Sequence, residues 1–89
     1  MNEIRLTDLG DSIKNEKRVF ILRVLLEEGS LTWSQLVEKL ESRFAIRLNP
    51  NTLSFHLKYL IDKGLVKKRT DDYVLLEQEI VKSLIELGS

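Results

Sequence analysis

The sequence of 89 residues predicts a single domain that is mainly α-helical and carries one small β-hairpin. Three observations support this fold class. Helical segments with recognisable start and stop residues follow one another, a short segment rich in strand-forming residues comes next, and an amphipathic segment is last. Apolar residues make up 43% of the composition and proline occurs once, which is typical of a globular domain with a small core. The expected architecture is a three-helix core, a two-stranded hairpin and a C-terminal helix.

The first helix of the core is predicted between Asn15 and Glu28. Asn15 suits the N-cap position, because its side-chain oxygen accepts hydrogen bonds from the free amides of the first turn. Gly29 suits the left-handed residue that commonly follows a helix. Apolar residues of this segment cover more than the roughly 100° stripe of a surface helix, so we expect contacts with neighbours on two sides.

The second helix is predicted to begin with a capping box. Thr32 caps the helix, and Gln35, three residues later, bonds back to it. Leu31 and Leu36 flank the cap as a hydrophobic staple. Helical spacing then predicts one buried face, which consists of Leu36, Val37, Leu40 and Phe44.

The third helix has signals at both ends. Asn49 is a suitable cap, and Pro50 occupies the first helical position, where a missing amide costs nothing. Gly64 supplies the left-handed residue after the helix, and Leu65 is placed to touch Leu60 as the Schellman motif favours. A helix of about 13 or 14 residues is therefore expected between these signals.

After the third helix the spacing of apolar residues changes. Residues 65–69 and 73–76 are interpreted as two short strands joined by a polar turn at residues 70–72. Residues 77–87 are predicted to be helical, with acidic residues in the first turn and apolar residues at helical spacing. Apolar residues in the arm 1–14 have mixed spacing, so its conformation stays open.

This order of elements predicts a winged helix-turn-helix, in which the third helix enters the DNA major groove and the hairpin is the wing. Projection at about 100° per residue puts Leu53, Leu57 and Leu60 on the core side of the third helix. Phe55 then faces outward among polar residues. Two interpretations of Phe55 remain open: apolar contact with thymine methyl groups, or packing on the wing or on another subunit.

The formal charge is zero, yet the basic residues concentrate in one part of the sequence. Lys and Arg number 14, as do Asp and Glu. From Arg43 to Arg69 there are seven basic residues and one acidic residue, Asp62, so the rest of the sequence carries the compensating negative charge. A charge cluster alone is usually a solvated surface, but this one coincides with the predicted third helix and wing. It therefore favours phosphate binding, which is driven by counterion release.

Three motifs lie between residues 15 and 76. They are Asn15-x-x-Arg18-x-x-Ile21-Leu22-x-x-Leu25, Leu31-Thr32, and Ser54-x-His56-Leu57-x-x-Leu60-x-x-x-Gly64-Leu65-Val66. Together these motifs resemble the ArsR-type winged helix-turn-helix transcription regulators. The resemblance implies a dimeric, repressor-like protein whose third helix, at about residues 50–63, enters the major groove. The metal and arsenite sensors of that family use cysteine or histidine ligands that this sequence lacks, so no such sensing function is expected.

The expected DNA-binding residues lie on the third helix and the first strand of the wing. They are Asn51, Thr52, Ser54, Phe55, His56, Lys58, Tyr59, Lys67, Lys68 and Arg69. The members that match DNA-contacting positions of the resembled family are Thr52, Ser54, Phe55 and His56. For His56 the alternative is a buried hydrogen bond to a backbone group, because it flanks the core side of the helix. Trp33, in the first turn of the second helix, is expected either near the DNA backbone or packed against the hairpin.

Composition excludes several other classes of site. The sequence has no cysteine, and its one histidine is too few for the histidine sites that hold catalytic zinc. No glycine-rich phosphate loop occurs, so we expect no enzyme activity, no cofactor and no metal. The longest stretch without a charged side chain, residues 48–57, is too short to span a membrane. The start of the sequence lacks the pattern of a secretion signal, so a cytoplasmic location is expected.

The leading hypothesis is a sequence-specific, double-stranded DNA-binding transcription regulator. Residues 15–76 form the core of the single domain in this hypothesis, and residues 1–14 and 77–89 are expected to join two copies into a homodimer. The alternative is a winged-helix module that binds protein within a transcription assembly. In that case Phe55 and Tyr59 serve as apolar anchors, since fold alone does not decide function.

Overall fold

The computed structural model describes residues 15–88, with the side chains of residues 15–86, so the arm at 1–14 lies outside the described residues. Four helices and a small antiparallel sheet confirm the mainly α-helical, winged helix-turn-helix prediction. The elements in chain order are α1 (Glu16–Glu28), β1 (Ser30–Leu31), α2 (Trp33–Phe44), α3 (Pro50–Asp62), β2 (Val66–Lys68), β3 (Tyr73–Leu75) and α4 (Gln78–Gly88).

The predicted helix starts are confirmed. Asn15 accepts hydrogen bonds from the backbone amides of Lys17 and Arg18 at 3.0 and 3.2 Å. Thr32 and Gln35 form the capping box, with reciprocal side-chain to backbone distances of 2.9 and 3.2 Å. These bonds satisfy amides that the helices themselves leave free, so each start is set by residues within one turn.

The helix that the sequence predicts most sharply, α3, also begins and ends as expected. The side chain of Asn49 accepts a hydrogen bond from the amide of Asn51 at 2.8 Å. Gly64 has a φ of 77°, and its amide bonds the carbonyl of Ile61 at 2.9 Å. The amide of Leu65 bonds the carbonyl of Leu60 at 3.0 Å. These two bonds are the Schellman motif, and they direct the chain from α3 into the wing.

The wing contains one strand more than the predicted hairpin. Strands β2 and β3 pair antiparallel, with Lys67 opposite Val74, as expected for a hairpin. The two-residue strand β1 adds to the other edge of β3, where Ser30 lies opposite Val74 and Leu31 opposite Tyr73. The sheet order is therefore β1-β3-β2. A strand of two residues has no periodicity to detect, and its partner lies more than 40 residues later in the sequence, so the two-stranded prediction was incomplete.

The connection between α2 and α3 is held by a carboxylate. One Glu41 oxygen accepts the backbone amide of Leu48 at 2.7 Å, and the Leu48 side chain is buried. Ala45 ends α2 in the left-handed conformation with a φ of 53°. These contacts define the path of the five-residue connection and hence where α3 begins.

The core is formed by all four helices and the sheet. Its fully buried side chains are Ile21, Leu22, Leu25, Leu36, Leu40, Leu53, Leu60, Leu65, Val66, Val81 and Leu84. Helix α4 packs against α1 of the same chain, and Val81 and Leu84 are its buried residues. Part of the apolar character of α4, from which the sequence predicts a dimer contact, is thus used inside one subunit.

Candidate nucleic-acid interface

Helix α3 has two chemically distinct sides. Its outward face consists of the exposed residues Asn51, Ser54, Phe55 and Lys58 and the half-buried residues Thr52 and Tyr59. Its inward face consists of the buried residues Leu53, His56, Leu57 and Leu60. The predictions that Leu53, Leu57 and Leu60 face the core and that Phe55 faces outward are confirmed.

Phe55 is the most exposed large apolar side chain that the structure describes, with 62% of its surface accessible. It lies among hydrogen-bonding side chains rather than within an apolar patch. Its ring makes an edge-type contact with the His56 imidazole, with centroids 5.9 Å apart, and lies 5.6 Å from the guanidinium of Arg18. A large apolar ring at this position gives the outward face one apolar contact surface between polar groups.

His56 lies apart from the other expected DNA-binding residues, because its side chain is only 6% exposed. Its Nδ1 accepts a hydrogen bond from Nε of Arg18 at 3.2 Å, so its partner is a side chain of α1 rather than a backbone group. Burial, followed by the nearby charges of Arg18 and Lys17, lowers the pKa of His56 below its usual value. The imidazole is therefore neutral at pH 7, as its role as an acceptor requires.

Arg18 is a residue of this region that sequence reasoning did not single out. Its guanidinium carbon lies 3.7 Å from the centroid of the Tyr59 ring, a cation–π contact, and its side chain also reaches Phe55 and His56. Arg18 appears in the first sequence motif only as a member of a helix start. The sequence does contain an arginine early in α1 and two aromatic residues one turn apart on α3. That these residues contact each other becomes clear only when the packing of the two helices is known.

The basic residues of the wing differ in their surroundings. Lys67 and Lys68 are exposed on β2 and form no ion pair within residues 15–88. Arg69 instead donates two hydrogen bonds to the carboxylate of Asp72, both at 2.7 Å, and its amide bonds the Asp72 carbonyl at 2.8 Å. These side-chain hydrogen bonds hold the pKa of Asp72 below its usual value. The turn of the wing thus neutralises one of the three cations expected to meet phosphate.

Trp33 is half-buried and packs against the core. Contact with the hairpin and proximity to the DNA backbone both stay predictions for Trp33.

Across residues 15–88, no three histidine, aspartate or glutamate side chains come together in a way that would hold a metal ion. No helix in the same part of the chain is long and apolar enough to cross a membrane.

Comparison with known proteins identifies a protein family that the sequence matches. The family model for bacterial regulatory proteins of the arsR family matches residues 15–68, which is more than half of the chain. Neither a search of curated proteins nor a search of solved structures gives a significant match. The matched residues include α1, α2, α3 and β2, the elements that carry the outward face and the wing lysines. This helix-turn-helix match supports DNA-binding transcription regulation, and the chain belongs to the arsR family of bacterial regulatory proteins.

Proposed function

We propose that the protein binds double-stranded DNA in a sequence-specific manner, with the outward face of α3 in the major groove. The observation that carries this proposal is the position of Phe55, a ring 62% exposed at the centre of a polar helix face. A major groove offers such a face both hydrogen-bonding base edges and thymine methyl groups. The exposed ring then gains an apolar contact that water does not provide.

The polar residues of the outward face supply the complementary hydrogen bonds. Asn51, Thr52 and Ser54 lie in the first half of α3, the part of a recognition helix that reaches base edges. An asparagine amide pairs with adenine through two hydrogen bonds, and hydroxyl groups bond to several base edges. Lys58 and Tyr59 follow toward the end of the helix, where the phosphate backbone comes closer.

The wing contributes charge rather than sequence recognition. Lys67 and Lys68 are exposed and uncompensated by an ion pair in the described part of the chain, so they are available to phosphate. Arg69 meets phosphate only if it gives up Asp72, and His56 meets DNA only if it leaves the core. We therefore assign phosphate binding first to the two lysines, with Arg69 and His56 as weaker members of the set.

The proposal includes a homodimer formed through residues 1–14 and 77–89. Two α3 helices related by a two-fold axis read two half-sites of an operator, separated by about 34–36 Å along the duplex. Leu76, directly before the second of these segments, is 50% exposed, and Ile80 and Ile85 within it are only partly buried, so apolar surface remains for a second copy. Sedimentation at micromolar concentration tests the dimer, and a monomer alone under those conditions contradicts it.

The decisive experiment is selection from a library of random duplexes, followed by binding measurements at several salt concentrations. We expect the logarithm of the binding constant to fall linearly with the logarithm of salt concentration, as phosphate contacts require. Phe55→Ala is expected to reduce the preference for selected over scrambled duplexes without changing the salt slope. Lys68→Ala is expected to weaken both duplexes alike and to reduce the slope by about one.

Arg23 provides the matched control for loss of a positive charge. It is exposed on α1, about 140° around the helix from Arg18. Arg23→Ala is expected to leave both the preference and the slope unchanged. Absence of binding to every duplex at low salt contradicts the proposal and favours the alternative, a module that binds protein through Phe55 and Tyr59.

A further inference from the structure

We infer that Arg18, which lies on α1 and outside the helix-turn-helix itself, is a positioning residue that orients the Phe55 ring for base contact. The inference rests on the proposed function, because it assigns Phe55 to the reading of thymine methyl groups. It concerns how that ring is held, and it adds to the binding machinery a residue that does not itself need to touch DNA.

One guanidinium contacts three side chains of α3. Its carbon lies 3.7 Å from the Tyr59 ring centroid and 5.6 Å from the Phe55 ring centroid. Its Nε donates to Nδ1 of His56 at 3.2 Å. Phe55 and Tyr59 are four residues apart, so their rings neighbour each other on one side of the helix. Arg18 therefore lies against both rings while it is anchored to the residue between them.

The anchoring defines the orientation of the guanidinium plane. Nε is bonded within that plane, so the hydrogen bond to His56 restricts its rotation. The half-buried Tyr59 ring then limits movement of the plane from one side. The backbone of Arg18 is also held, because its amide donates to the Asn15 cap at 3.2 Å. The Arg18 side chain is thus held at both ends, by its backbone in the first turn of α1 and by the hydrogen bond to His56.

Phe55 needs such a support because most of its ring is in solvent. The aromatic and cation–π contacts of its ring, within the described residues, are with the Arg18 guanidinium and the His56 imidazole. An exposed side chain that must become immobile in a complex loses conformational entropy, and this loss weakens binding. A ring already held in its bound orientation avoids part of that loss, as in other sites built on rigid supports.

Lysine at position 18 distinguishes positioning from direct phosphate contact. Arg18→Lys keeps the positive charge but removes the flat guanidinium that lies on the rings and the Nε–H that donates to His56. If Arg18 acts by holding Phe55, Arg18→Lys loses the contribution of Arg18 to DNA affinity. If Arg18 acts by neutralising a phosphate, Arg18→Lys keeps most of that contribution and Arg18→Gln loses it.

The probe is a duplex recovered by the selection, in which thymines are replaced one at a time by deoxyuridine. Each replacement removes one methyl group and leaves the hydrogen-bonding edge unchanged. For the wild-type protein we expect about a fourfold loss of affinity at the thymine that Phe55 contacts, the equivalent of one buried methyl group. Arg18→Lys is expected to reduce this thymine preference to less than twofold, with the salt slope unchanged.

Two further variants complete the cycle. Phe55→Ala is expected to abolish the thymine preference, and adding Arg18→Lys to it is expected to change nothing more, because both act through one ring. Thymine preference that persists in Arg18→Lys overturns the inference. So does a salt slope that falls by about one in Arg18→Gln but not in Arg18→Lys, since that pattern identifies a phosphate contact. Duplex binding with no thymine preference at any position overturns the inference alone, whereas absence of duplex binding overturns the proposed function.

The packing itself is tested without DNA. Nitrogen-15 NMR of the free wild-type protein at pH 7.5 is expected to show His56 neutral, with the proton on Nε2 and a bare Nδ1. A protonated Nδ1 contradicts the hydrogen bond from Arg18 and overturns the inference. Urea unfolding of each variant establishes that it is folded under the conditions of the binding assay.

Discussion

The two faces of α3 place adjacent residues in opposite environments. Phe55 is apolar and 62% exposed, whereas His56 is polar and 6% exposed. One step of about 100° along the helix separates them, so geometry rather than hydropathy determines which one enters the core. His56 is tolerated inside because Arg18 supplies a hydrogen bond. Burial is thus concentrated on the inward face, whereas the side chains of the outward face stay accessible to solvent.

The largest expected effect comes from exchanging a core side chain for alanine on the inward face. Leu53 is fully buried, so Leu53→Ala is expected to lower the free energy of unfolding by about 2–5 kcal/mol, through lost transfer energy and the cavity left behind. Phe55→Ala is the matched change on the outward face, and we expect it to stay within about 0.5 kcal/mol of the wild type. Urea unfolding followed by circular dichroism measures both. Similar losses for the two variants contradict the separation of the faces.

A smaller effect is expected at the start of α3, which both faces share. Asn49→Ala removes the acceptor of the 2.8 Å bond from the Asn51 amide. We expect a loss of about 1 kcal/mol in the free energy of unfolding, the usual cost of removing an N-cap. Asn49→Asp is the control, because an aspartate accepts the same bond and should keep the free energy of unfolding within about 0.5 kcal/mol of the wild type. An alanine variant as stable as the wild type shows that the cap does not set the start of α3.

A third change concerns the wing, where Asp72 compensates Arg69 but no acid among the described residues pairs with Lys68. Asp72→Asn removes the carboxylate that accepts two bonds from Arg69, and the freed guanidinium becomes available to phosphate. We expect tighter binding to all duplexes and a salt slope steeper by about one, which adds roughly a fourfold loss of affinity between 50 and 200 mM salt.

The control for that change is Asp71→Asn, which removes an exposed charge from the same turn without freeing Arg69. Long-range attraction rises in both variants, so only a slope change confined to Asp72→Asn identifies a new phosphate contact. Equal slopes in the two variants contradict a role for Arg69 that Asp72 restrains.

Features that depend on a few neighbouring residues were predictable from the sequence. The capping residues Asn15, Thr32 and Asn49 each satisfy amides within their own first turn, and the glycine after α3 adopts a positive φ because the Schellman motif requires it. Ala45 shows the limit of this reasoning. It ends α2 in the left-handed conformation without the glycine that would have signalled it.

Features that depend on distant residues were not predictable from one sequence. Arg18 and His56 are 38 residues apart, and nothing in the spacing of either helix indicates that they share a hydrogen bond. The same holds for β1, whose pairing with β3 joins residues more than 40 positions apart in the sequence. The outward face followed from helical projection alone, whereas the support beneath Phe55 required the packing of α1 on α3.

The least disruptive way to test the inward face is to change pH, since no atom other than a proton is added. His56 has a pKa below its usual value when folded, first because of burial and then because of the charges of Arg18 and Lys17. Below about pH 6.5 an unfolded histidine binds a proton that the folded protein does not take up, so the free energy of unfolding should fall as the pH is lowered. The stability that the neutral His56 contributes is fully present above about pH 6.5, and it stops falling once the pH is below the lowered pKa of the folded state.

Urea unfolding of wild type and His56→Gln at matched pH isolates this contribution, because the other titrating groups cancel in the difference. A wild type that gains stability relative to His56→Gln as the pH falls would mean that the imidazole is charged when folded, and the two faces would then differ less than their exposure indicates.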